Sequence, residues 1–390
     1  MGDDVKDLQT TPDAPDIPDT RDEEQRKFDA RRGCERTLSG ARPATLRERL
    51  AQLAAEAEGA YDLDERPDVY GDGVVEALEE RVAGLLGTEA AAFFPTGTMA
   101  QQVALRCWAD RTGSRTVAMH PLAHPEVHER HAYSQLSGLH SVWPTTAWRT
   151  ASAAEIADFA EPFGTLMLEL PLRDAGFLLP TWAELEATVA AARDRDAVVH
   201  FDGARLWETT PHFGRSLPEI AGLADSVYVS FYKTMGGPSG AALAGPAEYV
   251  AQAKTWRHRY GGQLYQQWPT ALAALAGLDR ELPRLDGYVA HAKVVAAALA
   301  EAFTTVPGAR VFPEVPHTHQ FQLWLPFAAD ALNEAGTRLA EERRLSLFGG
   351  WREPSVPGTA LTEVTVSASA LEWTADDVVK AVGEFLTLIG

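Results

Sequence analysis

The chain has 390 residues, 45% of them apolar, with a formal net charge of -20 and only two cysteines, Cys34 and Cys107. That length suits one large domain, or a large and a small domain together. A pI near 5.0 argues against a nucleic-acid-binding face, no apolar run reaches the ~18 residues of a membrane span, and two cysteines form neither a disulfide framework nor a zinc set. The start, Met1-Gly2-Asp3-Asp4, lacks the basic and apolar pattern of a secretory leader, so a reducing cytoplasm is expected.

Residues 1–32 are rich in Asp, Glu and Pro and nearly free of large apolar side chains. Such a segment buries too little surface to offset its ordering entropy, so a disordered acidic arm is expected. In Val74 to Leu85, Leu78, Val82 and Leu85 form one helical stripe and Gly87 suits the C-cap. Ala90 to Phe94 reads as a buried strand and Met99 to Trp108 as a helix. Thr165 to Leu170 is a second buried strand, and Thr181 with Glu184 has capping-box spacing for a helix ending near Arg193. Ala197 to Phe201 and Ser226 to Phe231 complete the strands. This alternation predicts an α/β fold with a mostly parallel sheet covered on both faces. After about Gly277 the pattern changes to a helix (Tyr288 to Phe303), a strand (Gln320 to Leu325), another helix, extended segments and a last amphipathic helix capped by Thr374 and Asp377. The expected organisation is therefore an arm over 1–32, a large domain with its N-terminal segment over 33–275, and a small α+β domain over 276–390.

Chemistry is expected at strand ends, where open α/β sheets bind ligands. Lysine is scarce: after Lys27 the next is Lys233, just beyond the strand Ser226 to Phe231 and followed by Thr234-Met235-Gly236-Gly237-Pro238-Ser239-Gly240. An amine desolvated there becomes a nucleophile towards carbonyls; the plain alternative is a snorkelling strand-end lysine. Asp202, in His200-Phe201-Asp202-Gly203-Ala204-Arg205, suits a protonated ring nitrogen of pyridoxal phosphate or simply caps a turn. The Arg205 fork suits a carboxylate or phenolate oxygen. Thr96-Gly97-Thr98 lies at a strand-to-helix junction, where free N–H groups and hydroxyls bind anions or cap the helix. His120, His124 and His128 recur at i, i+4 spacing, but Pro121 and Pro125 break the helix that would align them on a metal, so no metal site is expected. A histidine stacked on a heteroaromatic ring accounts for His124 better.

In order and spacing these segments, with Tyr70-Gly71-Asp72 and Leu78-Glu79-Glu80-Arg81 upstream and His200-Phe201-Asp202-Gly203-Ala204-Arg205-Leu206-Trp207 at the centre, resemble the threonine aldolase and β-eliminating lyase family of fold-type I pyridoxal-phosphate enzymes. The resemblance covers residues 65 to 270 well and the rest loosely. It implies an aspartate-aminotransferase-like large domain, pyridoxal 5′-phosphate as cofactor, a Schiff base on Lys233, Asp202 at the pyridine nitrogen and His124 on the ring. It also implies Thr96, Gly97 and Thr98 at the phosphate, Arg205 at the substrate carboxylate or ring oxygen, and Arg257 in the segment that reaches a neighbouring subunit's phosphate. Homotetramers built from tight dimers are implied too.

The chain also departs from the family pattern. Where the family carries Leu-Glu-Asn-Thr-His-Asn, this chain reads Leu168-Glu169-Leu170-Pro171-Leu172-Arg173-Asp174, and Tyr265 replaces a phosphate-region arginine. The C-terminal strand Thr362-Glu363-Val364-Thr365-Val366-Ser367 has no arginine, and Cys34-Glu35-Arg36-Thr37 is the nearest remnant of the N-terminal element. The cofactor grip is retained and the substrate clamp rebuilt, with Arg173, Arg36 or Arg352 as replacement carboxylate partners. The expected reaction cleaves a threonine-like β-hydroxy-α-amino acid, a small-molecule substrate, to glycine and an aldehyde. His124, His128 and Glu129 are the candidate bases. β-Elimination, transaldolation and racemisation on the same scaffold remain open, as does a non-catalytic binding descendant.

Overall fold

The apolar runs of the sequence become the strands of one seven-stranded sheet in the computed structural model, which describes residues 20–354 and 356–389. The strands are β1 (Ala90–Phe94), β2 (Thr116–Ala118), β3 (His140–Val142), β4 (Thr165–Glu169), β5 (Val198–Gly203), β6 (Ser226–Ser230) and β7 (Ala241–Gly245). Their spatial order is β1-β7-β6-β5-β4-β2-β3, and only β7 runs against its neighbours. β4 and β6 are buried along their whole length, as parallel strands covered on both faces must be.

Helices cover both faces of the sheet. On one side α2 (Val74–Leu86) supplies Leu78 and Val82 and α4 (Trp182–Arg193) supplies Leu185 and Val189. On the other lie α3 (Gly97–Thr112) and α5 (Ala247–Arg259), packed through Val103, Cys107, Tyr249 and Ala253. Each fully buried leucine or valine contributes roughly 1.5–3 kcal/mol. The expected caps are in place. Gly87 ends α2 at φ 66°, and Thr181 and Glu184 form a reciprocal capping box.

A helix α6 (Trp268–Glu281) returns to the first face and is followed by α7 (Leu285–Ala302). α7 belongs to two cores. Leu285 and Tyr288 sit in the large one, whereas Ala292, Val295 and Leu299 sit in the small one. The small core is built on an antiparallel sheet of β8 (Arg310–Phe312), β9 (Gln320–Leu325) and β10 (Ala360–Thr365), with α8 (Ala329–Arg343) and α9 (Ala375–Leu386). Thr374 and Asp377 close the expected capping box of α9.

Two expectations are corrected. The first concerns the arm, whose residues 1–19 lie outside the described residues. Thr20–Arg32 forms a helix, α1. Its polar surface is held by a guanidinium rather than by a core: Arg26 donates to Glu334 and Glu341 of α8 at 2.8–3.0 Å. The second concerns the segment after it. Arg36–Thr37 pairs with Leu345–Ser346, and Leu38 enters the small core, so these residues pack with the small domain rather than the large.

The turn carrying Lys233 is shaped by backbone contacts. Gly236 adopts φ 72°, Gly236 N–H donates to Lys233 O at 3.2 Å and Gly237 N–H to Phe231 O at 2.8 Å. α6 presses on this turn. Arg280 donates to Met235 O at 3.1 Å, and a Cβ on Gly277 would overlap the same carbonyl. Replacing a helical glycine by alanine normally gains about 1 kcal/mol, whereas overpacking costs about 1–3 kcal/mol. Gly277→Ala is expected to lower the thermal midpoint. Gly287→Ala, in α7 with open space around it, is expected to hold or raise it. Equal midpoints for the two variants would remove the packing argument.

Candidate functional site

Because β1, β4, β5 and β6 run the same way, their C-terminal ends share one edge, and the chemistry-bearing residues stand there. β5 ends on Asp202, which is 1% exposed, and in the β4–β5 register it lies opposite Glu169. Among the described residues the only donor to the Asp202 carboxylate is Ala204 N–H, at 3.2 Å. Lys233 lies just past β6, and its Nζ makes no hydrogen bond among the described residues. Burial, then the nearby Arg205 charge, push its amine down to about 8, against the pull of Asp202 and Glu169. Both carboxyls are shifted upward. Burial leads in each, the Asp202 charge adds to it at Glu169, and His124 and Lys233 oppose it at Asp202.

Arg205 is 9% exposed and its side chain has no hydrogen-bond or ion-pair partner among the described residues. It stands over the Phe177 ring at 5.3 Å, and Phe177 itself adopts φ 58°, a strained backbone for an aromatic residue. Burial leads in lowering the Arg205 pKa. A buried guanidinium without an acceptor has the chemistry to take an anion.

His124 opens one short turn, His124–Val127, and is held from two sides. Its backbone N–H donates to Glu169 Oε2 at 2.7 Å, and its Nδ1 lies 3.1 Å from Glu129 Oε1. Glu129 also accepts from Gln102 Nε2 of α3 at 3.1 Å. A carboxylate accepts, so Nδ1 carries the proton and Nε2 is the free position. Burial pulls the ring's pKa down, but the Glu129 hydrogen bond and the charges of Asp202, Glu129 and Glu169 outweigh it, and the value is raised. Glu169 joins two loops, since its Oε1 also accepts Arg173 N–H at 3.2 Å.

The remaining expected residues are distributed unequally. Thr96 caps α3 by accepting Met99 N–H at 3.3 Å, and the N–H groups of Gly97 and Thr98 make no hydrogen bond among the described residues. His128 sits 5.2 Å from the His124 ring, with its Nε2 2.7 Å from Asp174 Oδ2. Arg173 reaches the site edge but donates to Glu363 on β10 at 3.0 and 3.2 Å. Arg352 is at the mouth, 54% exposed and 4.0 Å from Glu363 Oε1. Two expectations are corrected. Arg36 is engaged elsewhere: it donates to Glu372 O and Asp377 and stacks on Trp373, which serves the start of α9. Arg257 is buried within its own chain, donating to Glu79 at 3.0 Å and Phe93 O at 2.6 Å. Among the described residues no cluster of His, Cys, Asp and Glu has the geometry of a metal site. Sequence reading did not single out Glu169, Glu363, Tyr228 or Tyr232 as site residues. Tyr232, next to Lys233, and Glu169, at the end of the expected strand Thr165 to Leu170, carried a positional signal.

The chain is similar in sequence and in fold to known proteins. The family described as beta-eliminating lyase matches residues 50–323. A low-specificity L-threonine aldolase of Escherichia coli K12 is 32% identical over 245 residues, covering 60% of this chain and 72% of that protein. Low-specificity L-threonine aldolase 1 of Arabidopsis thaliana is 28% identical over 290 residues, covering 71% and 76%. A crystal structure from Listeria monocytogenes, provisionally assigned as an L-allo-threonine aldolase, superposes with a TM-score of 0.82 at 35% identity, covering 93% of this chain and 99% of that one.

The His124–Glu129 contact has a measurable consequence. Glu129→Gln removes one of the charges that raise the ring's pKa and leaves burial opposed by Asp202 and Glu169 alone. The His124 titration followed by NMR is expected to move downward. An unmoved titration would show that Glu129 does not govern this ring.

Proposed function

Because the chain belongs to the β-eliminating lyase family, a family of pyridoxal-phosphate lyases, we propose that it cleaves the Cα–Cβ bond of β-hydroxy-α-amino acids, giving glycine and an aldehyde. The observation that carries this reading is an Arg205 guanidinium and a Lys233 amine, both without a hydrogen-bond partner among the described residues, near a buried Asp202. That set offers an anion seat, a nucleophile and a counter-charge at one edge of the sheet.

The residues fit the cofactor. Lys233 would hold its aldehyde carbon, Asp202 its ring nitrogen, His124 its ring face, and Thr96, Gly97 and Thr98 its phosphate. When bound, pyridoxal phosphate supplies the electron sink for negative charge at Cα. Lys233, with its pKa lowered to about 8, has a larger neutral fraction near neutral pH than an ordinary lysine. Arg205 takes the substrate carboxylate as a bidentate partner. His124 Nε2 accepts the β-hydroxyl proton, and Glu129 steadies the ring as it becomes charged. His128 is tied to Asp174 and Glu129 is already satisfied, so neither is the better base. Arg173 and Arg352 border the pocket but share Glu363, so they shape its mouth rather than bind the carboxylate.

A second reading, β-elimination or another reaction on the same amino acids, is favoured by one observation. The loop Leu170 to Asp174 brings no histidine to the substrate side. Assembly into homotetramers is supported by an exposed apolar patch in which Tyr70 and Tyr265 meet at 5.5 Å beside Leu264 and Trp268. Two free, buried cysteines accord with a reducing cytoplasm.

Incubation with L-threonine, L-allo-threonine and L-serine separates the readings. Equimolar glycine and aldehyde is expected. Pyruvate or 2-oxobutyrate with ammonia, and no aldehyde, would replace the aldolase reading with elimination. Arg205→Ala is expected to lower kcat/KM about a hundredfold, as loss of a charge-assisted pair in a buried site does. Arg173→Ala is expected to lower it less than about tenfold. The reverse ranking would make Arg173 the carboxylate partner.

A further inference from the structure

Gly97 is confined by two phenols. A Cβ built on it would overlap the Tyr228 hydroxyl and lie 3.1 Å from the Tyr232 hydroxyl. Tyr228 comes from β6 and is 3% exposed; Tyr232 follows that strand and is 37% exposed. Their hydroxyls therefore meet above the first residue of α3, a helix of 16 residues, beside the Gly97 and Thr98 N–H groups that have no acceptor among the described residues. The Tyr232 ring also stands 5.6 Å from Lys233 Nζ. Arg257, the cation expected in this region, is engaged through Nη1 with Glu79 and Phe93 O.

We propose that Tyr232 donates its hydroxyl to the phosphate of pyridoxal 5′-phosphate at the start of α3, and that Tyr228 holds Tyr232 in place. The proposal rests on the cofactor of the family and concerns how this chain grips it. A phosphate monoester needs donors on several oxygens. The start of α3 supplies N–H groups and the Thr98 hydroxyl, and the helix dipole favours the charge. A phenol adds a donor without adding a cation. Burial leads in raising the pKa of both tyrosines above the ordinary phenol value, so both hydroxyls keep their protons at neutral pH and can donate. Because Tyr232 immediately precedes Lys233, one short turn would present the phosphate donor and the amine together. Gly97 is then required by the tyrosines: any side chain there would push both hydroxyls out of the anion seat.

The test is equilibrium binding of two ligands, pyridoxal 5′-phosphate and pyridoxal, to the full-length chain freed of cofactor, read by absorbance. Tyr232→Phe is expected to weaken pyridoxal phosphate about tenfold, the loss of one charge-assisted hydrogen bond. Pyridoxal, which lacks the phosphate, is expected to change by less than about twofold. Tyr228→Phe is expected to show the same selectivity with a smaller loss. Unchanged pyridoxal-phosphate affinity in Tyr232→Phe, or equal weakening of both ligands, overturns the grip. Unchanged affinity in Tyr228→Phe overturns the positioning role. If the wild-type chain binds neither ligand, the cofactor assignment itself fails, and that outcome is distinct from a loss confined to the variants.

Discussion

A buried charge must be paired, hydrogen-bonded or neutralised, and this rule governs the edge of the sheet where Glu169, Asp202, Arg205 and Lys233 meet. Four ionisable groups are gathered there with few protein partners. Glu169 finds two backbone N–H groups, Asp202 finds one, and Arg205 and Lys233 find none among the described residues. Burial leads in the upward shift of both carboxyls and in the lowered lysine; Asp202 adds to the shift of Glu169 and Arg205 to that of Lys233, while the attraction between Lys233 and Asp202 opposes the shift of each. The arrangement is tolerable because the charges nearly balance, and on the proposed function each would face a charged group of the cofactor or the substrate. Preorganised, unsatisfied groups of this kind are costly for folding and favourable for binding.

Parts of this edge were legible in the sequence for a simple reason. Lys233 and Asp202 follow apolar strand runs closely, and parallel strands bring successive run ends to the same edge. Capping boxes at Thr181 and Thr374 and the Gly87 terminus were legible because they are local. What was not legible involves distance along the chain. Arg173 meets Glu363 across 190 positions, and no spacing rule announces that pair. Without it, Arg173 reads as a free cation awaiting a carboxylate. The same holds for Arg36, whose partners Glu372 and Asp377 are remote in sequence. α1 escaped for another reason. Its composition resembles a disordered arm, and the facing Glu334 and Glu341, remote in sequence, help to hold the helix there.

The small domain takes part in the site through few contacts. Glu363 on β10 faces Arg173, and Gln322 on β9 lies beside the same loop at 3.4 Å from Arg173 O. A second link runs behind the lysine: Thr234, next to Lys233, donates to Glu208, which also meets His319 of the small domain at 3.3 Å. The pocket is therefore a seam between two cores. One wall is set by the strand ends of the large sheet and the other by the face of a three-stranded sheet.

α7 gives that seam a thermodynamic character. A single uninterrupted helix supplies Leu285 and Tyr288 to one core and Val295 and Leu299 to the other. Helix formation propagates along the backbone, so the two ends are not independent. Melting the small core would fray α7 towards the large one and strip Glu363 from Arg173 in the same event. The two bodies are thus coupled through one helix rather than strung as beads on a string, and loss of either core would loosen the seam between them.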